Sequence, residues 1–215
     1  MKIGIFGGTF NPIHYGHLRA AEEIAEKFLD KVIFVPTNIT SHKNINDNIH
    51  PEKRLEMINI AIKEDERFGS SDVEIKRGGF SYSYDTVVQF KKKYKGDKLY
   101  FIVGADTYAD VKNWKNAEAV LGAIDFIVVG RPKYGFKNIV KLIDVLLDNL
   151  KEDVNVDLNQ NSLTIRQKRS IYFLNTTKLD ISSTVIRNNF KNNISNLFLL
   201  PNKVINYIIN NKLYE

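Results

Sequence analysis

The sequence predicts an α/β fold: a doubly wound, mostly parallel sheet with a small helical part toward the C-terminal end. Three observations carry that expectation. Continuous apolar runs of about five residues recur along the 215-residue chain, and most are followed by helical periodicity. Several are hydrophobic on both faces, as in Val32-Ile33-Phe34-Val35 and Phe126-Ile127-Val128-Val129, which suits parallel strands covered on both sides. Strand and helix also alternate, the order that right-handed crossovers require.

Strands are expected at Lys2–Phe6, Lys31–Val35, Asp72–Lys76, Lys98–Val103, Asp125–Val129 and Ser170–Asn175. The first helix, His17–Leu29, sets Leu18, Ala21, Ile24, Ala25 and Phe28 on one stripe. Further helices are expected at Pro51–Glu64, Tyr82–Tyr94 and Asn116–Leu121, and at Pro201–Asn211 with Val204, Ile205, Ile208 and Ile209 apolar. Residues 136–168 differ: a helical stretch, Ile139–Leu150, leads into Asn- and Asp-rich sequence and reads as a surface insertion. Residues 1–215 otherwise read as one domain.

Composition narrows the function classes. Hydrophobic residues make up 43% and charged residues 26%, ordinary for a soluble globular protein. No apolar run approaches the roughly 18 residues needed to cross a bilayer. A strand and glycine loop stand where a signal peptide would show a basic stretch, so cytoplasmic residence is the expectation. The chain has no cysteine, which removes disulfides, thiol nucleophiles and Cys-zinc sites. A net charge of +6 is mild, and its densest cluster, Lys91-Lys92-Lys93, closes a predicted helix, where cations complement the dipole. Nucleic acid is not the expected partner. Small polyanionic substrates are.

Ligands of such sheets bind at the carboxyl ends of the strands. The first strand ends in G-G-T-F-N-P-I-H-Y-G-H (7–17). This is neither G-x-G-x-x-G nor G-x-x-x-x-G-K-[ST]. His14 and His17 could be a satisfied structural pair, or metal ligands lacking a nearby third group, since His42 and His50 lie far along the chain. They could also contact phosphate at a helix start, where backbone N–H groups favour anions. The last reading gives a reason for Pro12 and Gly16, which are costly unless the backbone is being shaped. A second segment, I-S-S-T-V-I-R (181–187), offers Ser182 or Ser183 as a helix cap. With Thr184 and Arg187 it also makes an anion cradle. The loop P-T-N-I-T-S-H-K (36–43) brings Asn38 and Lys43 after the second strand, and Gly104-Ala105-Asp106 follows the fourth.

These motifs resemble the nucleotidyltransferase superfamily, and within it the bacterial nicotinate-nucleotide adenylyltransferases. The likeness takes in residues 7–17, His42-Lys43, R-G-G-F-S-Y-S-Y-D-T (77–86), V-G-A-D (103–106) and Trp114. It continues through G-R-P (130–132), D-I-S-S-T-V-I-R (180–187) and L-P-N-K-V-I-N-Y-I-I-N-N-K-L-Y (200–214). Asn11 stands where the family often has Asp, and Thr40-Ser41 where it often has Pro-Pro.

The resemblance implies a Rossmann-like nucleotidyltransferase fold and adenylyl transfer from ATP to nicotinate mononucleotide, giving deamido-NAD and pyrophosphate. It implies His14, His17, Lys43 and Arg187 as catalytic groups. ATP would be held by Gly7, Gly8, Thr9, Phe10, Gly104, Asp106, Ser182, Ser183 and Thr184. Asn38, Thr86 and Trp114 would bind the mononucleotide, the indole exposed among Lys112, Asn113, Lys115 and Asn116 and stacked on the pyridine ring. Mg²⁺ would travel on ATP, held mainly by phosphate and water. Rival readings are a sibling enzyme using nicotinamide mononucleotide, phosphopantetheine or a cytidylyl donor, and an inactive nucleotide-binding regulator. Oligomeric state, monomer or homodimer, is left open.

Overall fold

The computed structural model describes residues 1–40, 49–130 and 169–215, with the backbone of two strands at 154–157 and 162–165. In chain order the elements are β1 (Lys2–Gly8), α1 (Tyr15–Phe28), β2 (Lys31–Pro36), β3 (Ile39–Thr40), α2 (Pro51–Ile62), β4 (Phe68–Ser70), α3 (Val73–Arg77) and β5 (Phe80–Ser81). There follow α4 (Ser83–Lys93), β6 (Lys98–Gly104), α5 (Ala105–Tyr108), a 3₁₀ turn (Val111–Asn113), α6 (Ala117–Ala123) and β7 (Asp125–Val129). The remainder is β8 (Val154–Asp157), β9 (Ser162–Ile165), β10 (Arg169–Leu174), α7 (Ser183–Lys191) and α8 (Asn202–Asn210). They form two compact units, residues 1–6 with 82–178 and residues 7–81 with 179–215.

In the first unit the strand order is β1-β6-β7-β10-β9-β8. The first three pairings are parallel, with Ile5 opposite Phe101, Phe101 opposite Phe126, and Phe126 opposite Ile171. β9 and β8 extend the sheet antiparallel. All five residues of β7 are buried, as expected where both faces of a sheet are covered. The one carboxylate among them, Asp125, is compensated. Its Oδ1 accepts from the Ser170 N–H at 3.0 Å, and Lys98 lies 3.5 Å from its Oδ2.

In the second unit β2 pairs parallel with β4, Val32 opposite Phe68. Helix α1 buries Ala20, Ala21, Ile24 and Ala25 on one stripe. Helix α2 begins on Pro51, whose missing N–H costs nothing in a first turn, and α8 buries Val204 and Ile208. Helices α2 and α8 are joined by Lys53 donating to Asn211 at 3.1 Å and by a Tyr207–Glu56 hydrogen bond.

One strand expectation is overturned. Asp72–Lys76 is not extended: Val73–Arg77 forms α3, and the strand beside β2 is Phe68–Ser70. Val73-Glu74-Ile75 alternates over too few residues to separate the two periods. The chain closes this helical turn through Gly78, at φ +71°, whose N–H meets the Glu74 and Ile75 carbonyls. Phe68-Gly69-Ser70 has a single apolar residue and gives no strand pattern. The expected helix Ile139–Leu150 lies outside the described residues.

Candidate active site

The glycine loop and the start of α1 form one hydrogen-bonded unit. β1 ends at Gly7-Gly8, and the Gly8 carbonyl accepts from the Thr37 N–H at 3.0 Å. A Cβ on Gly8 would lie 2.9 Å from Cζ of Phe10, so the ring fills the space a side chain would need. Phe10, at φ +48°, turns its ring edge-on to Phe34 and His17. The Asn11–Pro12 peptide is cis.

Helix α1 opens at Tyr15, not at His17, and both histidines belong to its N-terminus. His14 is the buried N-cap residue and its carbonyl accepts from Leu18 at 3.1 Å. The His14 N–H donates to Nδ1 of His17 at 3.3 Å. An accepting Nδ1 puts the proton of a neutral His17 ring on Nε2, which makes that nitrogen the ring's donor. The two rings stack with centroids 3.7 Å apart. Gly16 is explained by the same packing, because a Cβ there would lie 3.0 Å from both Cε1 and Nδ1 of His14.

Residues 182–187 reach this loop. Ser182 caps α7, its hydroxyl accepting from the Thr184 N–H at 3.3 Å. Ser183 Oγ donates to the Pro12 carbonyl at 2.9 Å, and Arg187 Nη1 donates to the Asn11 carbonyl at 2.9 Å. Arg187 Nη2 also meets Thr184 Oγ1 at 3.4 Å. Gly8, Phe10, His14, His17, Ser183 and Arg187 are therefore gathered around residues 8–17. Asn38 lies in the same unit. Its N–H donates to Ser81 Oγ at 2.8 Å and its Nδ2 to the Gly79 carbonyl at 2.9 Å. That anchors R-G-G-F-S (77–81) to the loop after β2, through the short parallel pair β3–β5. Gly78 and Gly79, at φ +71° and +64°, make the turn that a side chain would strain. Lys43 lies outside the described residues.

Two residues here were missed in the sequence. Arg54 of α2 is 4% exposed, yet it donates to the Thr9 carbonyl at 2.7 Å and to Thr37 and Asn38 at 2.6 and 3.1 Å. Burial pushes its guanidinium down to about 10, so it stays charged at neutral pH. The available signal was its spacing: Arg54 shares a helical stripe with Met57 and Ile58, both fully buried. Tyr214 donates its buried hydroxyl to Asn11 Oδ1 at 2.5 Å, and no local pattern announces that bond.

The other expected residues belong to the first unit. Gly104 is the N-cap residue of α5, and Asp106 is exposed in its first turn. Thr86 lies in the second turn of α4, fully buried, its hydroxyl 3.4 Å from the Tyr82 carbonyl. The exposed indole expected at Trp114 is not found. The ring is 9% exposed and meets Phe101 and Phe126 at centroid distances of 6.2 and 6.4 Å. The 3₁₀ turn closes with the Trp114 N–H on the Val111 carbonyl, and burying a large apolar ring outweighs the polarity of its neighbours.

A cytidylyltransferase-like family model matches residues 5–189. The chain belongs to this family. Among its relatives, the "Probable nicotinate-nucleotide adenylyltransferase" of Geobacter sp. (strain M21) is 39% identical, covering 100% of this chain and 98% of its own. The protein of that name from Citrifermentans bemidjiense is 38% identical over the same shares. This cytidylyltransferase-like chain also has the fold of Plasmodium falciparum nicotinic acid mononucleotide adenylyltransferase complexed with NaAD. There the TM-score is 0.75 at 22% identity, covering 99% of this chain and 97% of that one. Among the described residues no helix is long and apolar enough to cross a membrane.

Proposed function

We propose that the chain transfers the adenylyl group of ATP to nicotinate mononucleotide, forming deamido-NAD and pyrophosphate. One observation carries the reading. Residues 171 and 176 positions apart in sequence, Ser183 with Pro12 and Arg187 with Asn11, are hydrogen-bonded so that a guanidinium and two histidines share one glycine loop. Kinship over the whole chain with proteins named for this reaction supports it.

The chemistry asks little of the protein beyond placement. The acceptor is a phosphate monoester with a second pKa near ~6, so its oxygen is anionic at neutral pH and needs no base. That oxygen forms the new bond to the α-phosphorus. The α–β bridging P–O bond breaks, and pyrophosphate leaves with the electron pair. Catalysis of this kind is positioning and charge stabilisation. His17 Nε2–H and Arg187 meet the charge that develops on the phosphates, with His14 alongside. The glycine loop (Gly7, Gly8, Thr9 and Phe10) and the N–H groups of Ser182–Thr184 hold the polyphosphate. Lys43 contributes a further cation, and Gly104 and Asp106 hold the ribose of ATP.

Asn38 contacts the mononucleotide, and Thr86 and Trp114 choose its base. With both nearly inaccessible, that choice requires the segment around Trp114 to turn outward on binding. The described residues hold no group of three carboxylates or imidazoles that could bind a metal ion. Mg²⁺ would arrive on ATP, with phosphate and water as its oxygen ligands. The reading places the chain in the cytoplasm, with its substrates.

The deciding experiment is pyrophosphate release from MgATP with nicotinate and nicotinamide mononucleotides side by side. Turnover should favour the nicotinate acceptor. Preference for the nicotinamide form would mark a sibling enzyme, and ATP binding without release for any acceptor would mark a regulator.

A further inference from the structure

We propose that Arg54 is a positioning residue that fixes the loop after β1 against the loop after β2, so that the ATP-phosphate loop and the mononucleotide loop are presented as one body. Its guanidinium spans three backbone carbonyls: Thr9 on one loop, Thr37 and Asn38 on the other. A fourth contact, Nε to the Ile49 carbonyl at 3.5 Å, aims the fork. The Thr37 N–H to Gly8 carbonyl bond ties the same two loops but joins a single pair of residues.

A planar guanidinium has five donors in fixed directions and can hold three acceptors at once, whereas an ammonium is a compact charge that cannot reproduce the fork. Arg54 acts through the backbone of the two loops. Burying a charge there is tolerable because backbone carbonyls accept its N–H groups and Tyr214, Glu52 and Glu74 favour the cation.

This deepens the proposed adenylyl transfer and rests on it for the choice of substrates. Arg54→Lys keeps the charge and most of the volume while losing the fork. Its KM should rise about tenfold for both ATP and nicotinate mononucleotide, since small misplacements of binding groups are costly, with kcat changed less. A variant that only loses stability would lose active molecules instead, so kcat would fall in step with the folded fraction and both KM values would stay put. That result, or a rise in one KM alone, overturns the proposal.

Hydrogen exchange in the unmodified chain keeps the question open to an answer if Arg54→Lys does not fold. Peptides covering 7–11 and 36–39 should open with the same denaturant dependence, and unequal dependences overturn the coupling. Absence of turnover by the unmodified chain would remove the substrate reading, and the exchange result would still judge Arg54.

Discussion

The loop after β1 and the segment that carries Trp114 each follow a buried strand, and they are held by different balances of hydrogen bonding and burial. Residues 9–12 are fixed by directional bonds from four side chains: Arg54 on Thr9, Arg187 and Tyr214 on Asn11, and Ser183 on Pro12. The segment 111–116 rests mainly on burial of Val111 and Trp114, the indole lying against Phe101 and Phe126. Its side-chain bonds lie at the exposed flanks, Asn113 donating to Asp110 and Lys115 standing near Asp85 and the Tyr82 ring. Hydrogen bonds have geometry and apolar burial does not. The first region therefore presents its donors in one arrangement. Under the proposed function, the second would exchange one apolar contact for another, an indole against a pyridine ring in place of an indole against Phe101.

The largest expected effect breaks the second region. Trp114→Ala should cost about 3–5 kcal/mol of stability, the usual loss for emptying a buried aromatic site, measured by denaturant melts. A loss below ~1 kcal/mol would mean that the indole is no anchor. Trp114 is also the only tryptophan, so its emission reports the segment directly. Nicotinate mononucleotide should change that emission and ATP alone should not. An unchanged spectrum on saturation with both substrates would leave the indole in the core.

His17→Ala comes next and tests the first region. Removing one charge-stabilising donor should lower kcat about 10²–10³-fold with a smaller change in KM. Turnover within threefold of the parent in a folded variant would show that the fixed imidazole contributes no rate. A smaller effect sharpens the comparison. Gly16→Ala places a Cβ 3.0 Å from the His14 ring, which must shift by a few tenths of an ångström. Activity should fall about tenfold, with the melting temperature nearly unchanged, because rate is more sensitive to misplacement than stability is. Unaltered kcat would mean that the stacked pair tolerates displacement.

Much of this was legible beforehand, for a physical reason in each case. β1, β2, β6, β7 and β10 were readable because strands covered on both faces leave unbroken apolar runs, and their ends fell within two residues. The glycine loop, both histidines and Arg187 stood out because these residue types are unusual in that order, and the structure gathers them on one loop. Phe68–Ser70 was hidden because three residues, one of them apolar, carry no period. Arg54 and Tyr214 were hidden for a different cause. Arg54 meets backbone carbonyls, which every residue has, so no partner type marks the pairing in sequence, and Tyr214 meets a side chain 203 positions away. Trp114 misled because its flanks described the surface of the turn and not the direction of the ring.

The bond between Asn11 and Tyr214 joins residues 203 positions apart. During synthesis, the stretch containing His14 emerges early and waits for nearly two hundred further residues before that fastening exists. Helix α1 can form at once from local contacts, but the loop beside it cannot be fully secured on the ribosome until residue 214 has cleared the exit. A nascent chain is thus unfinished as a catalyst long after it has begun to fold.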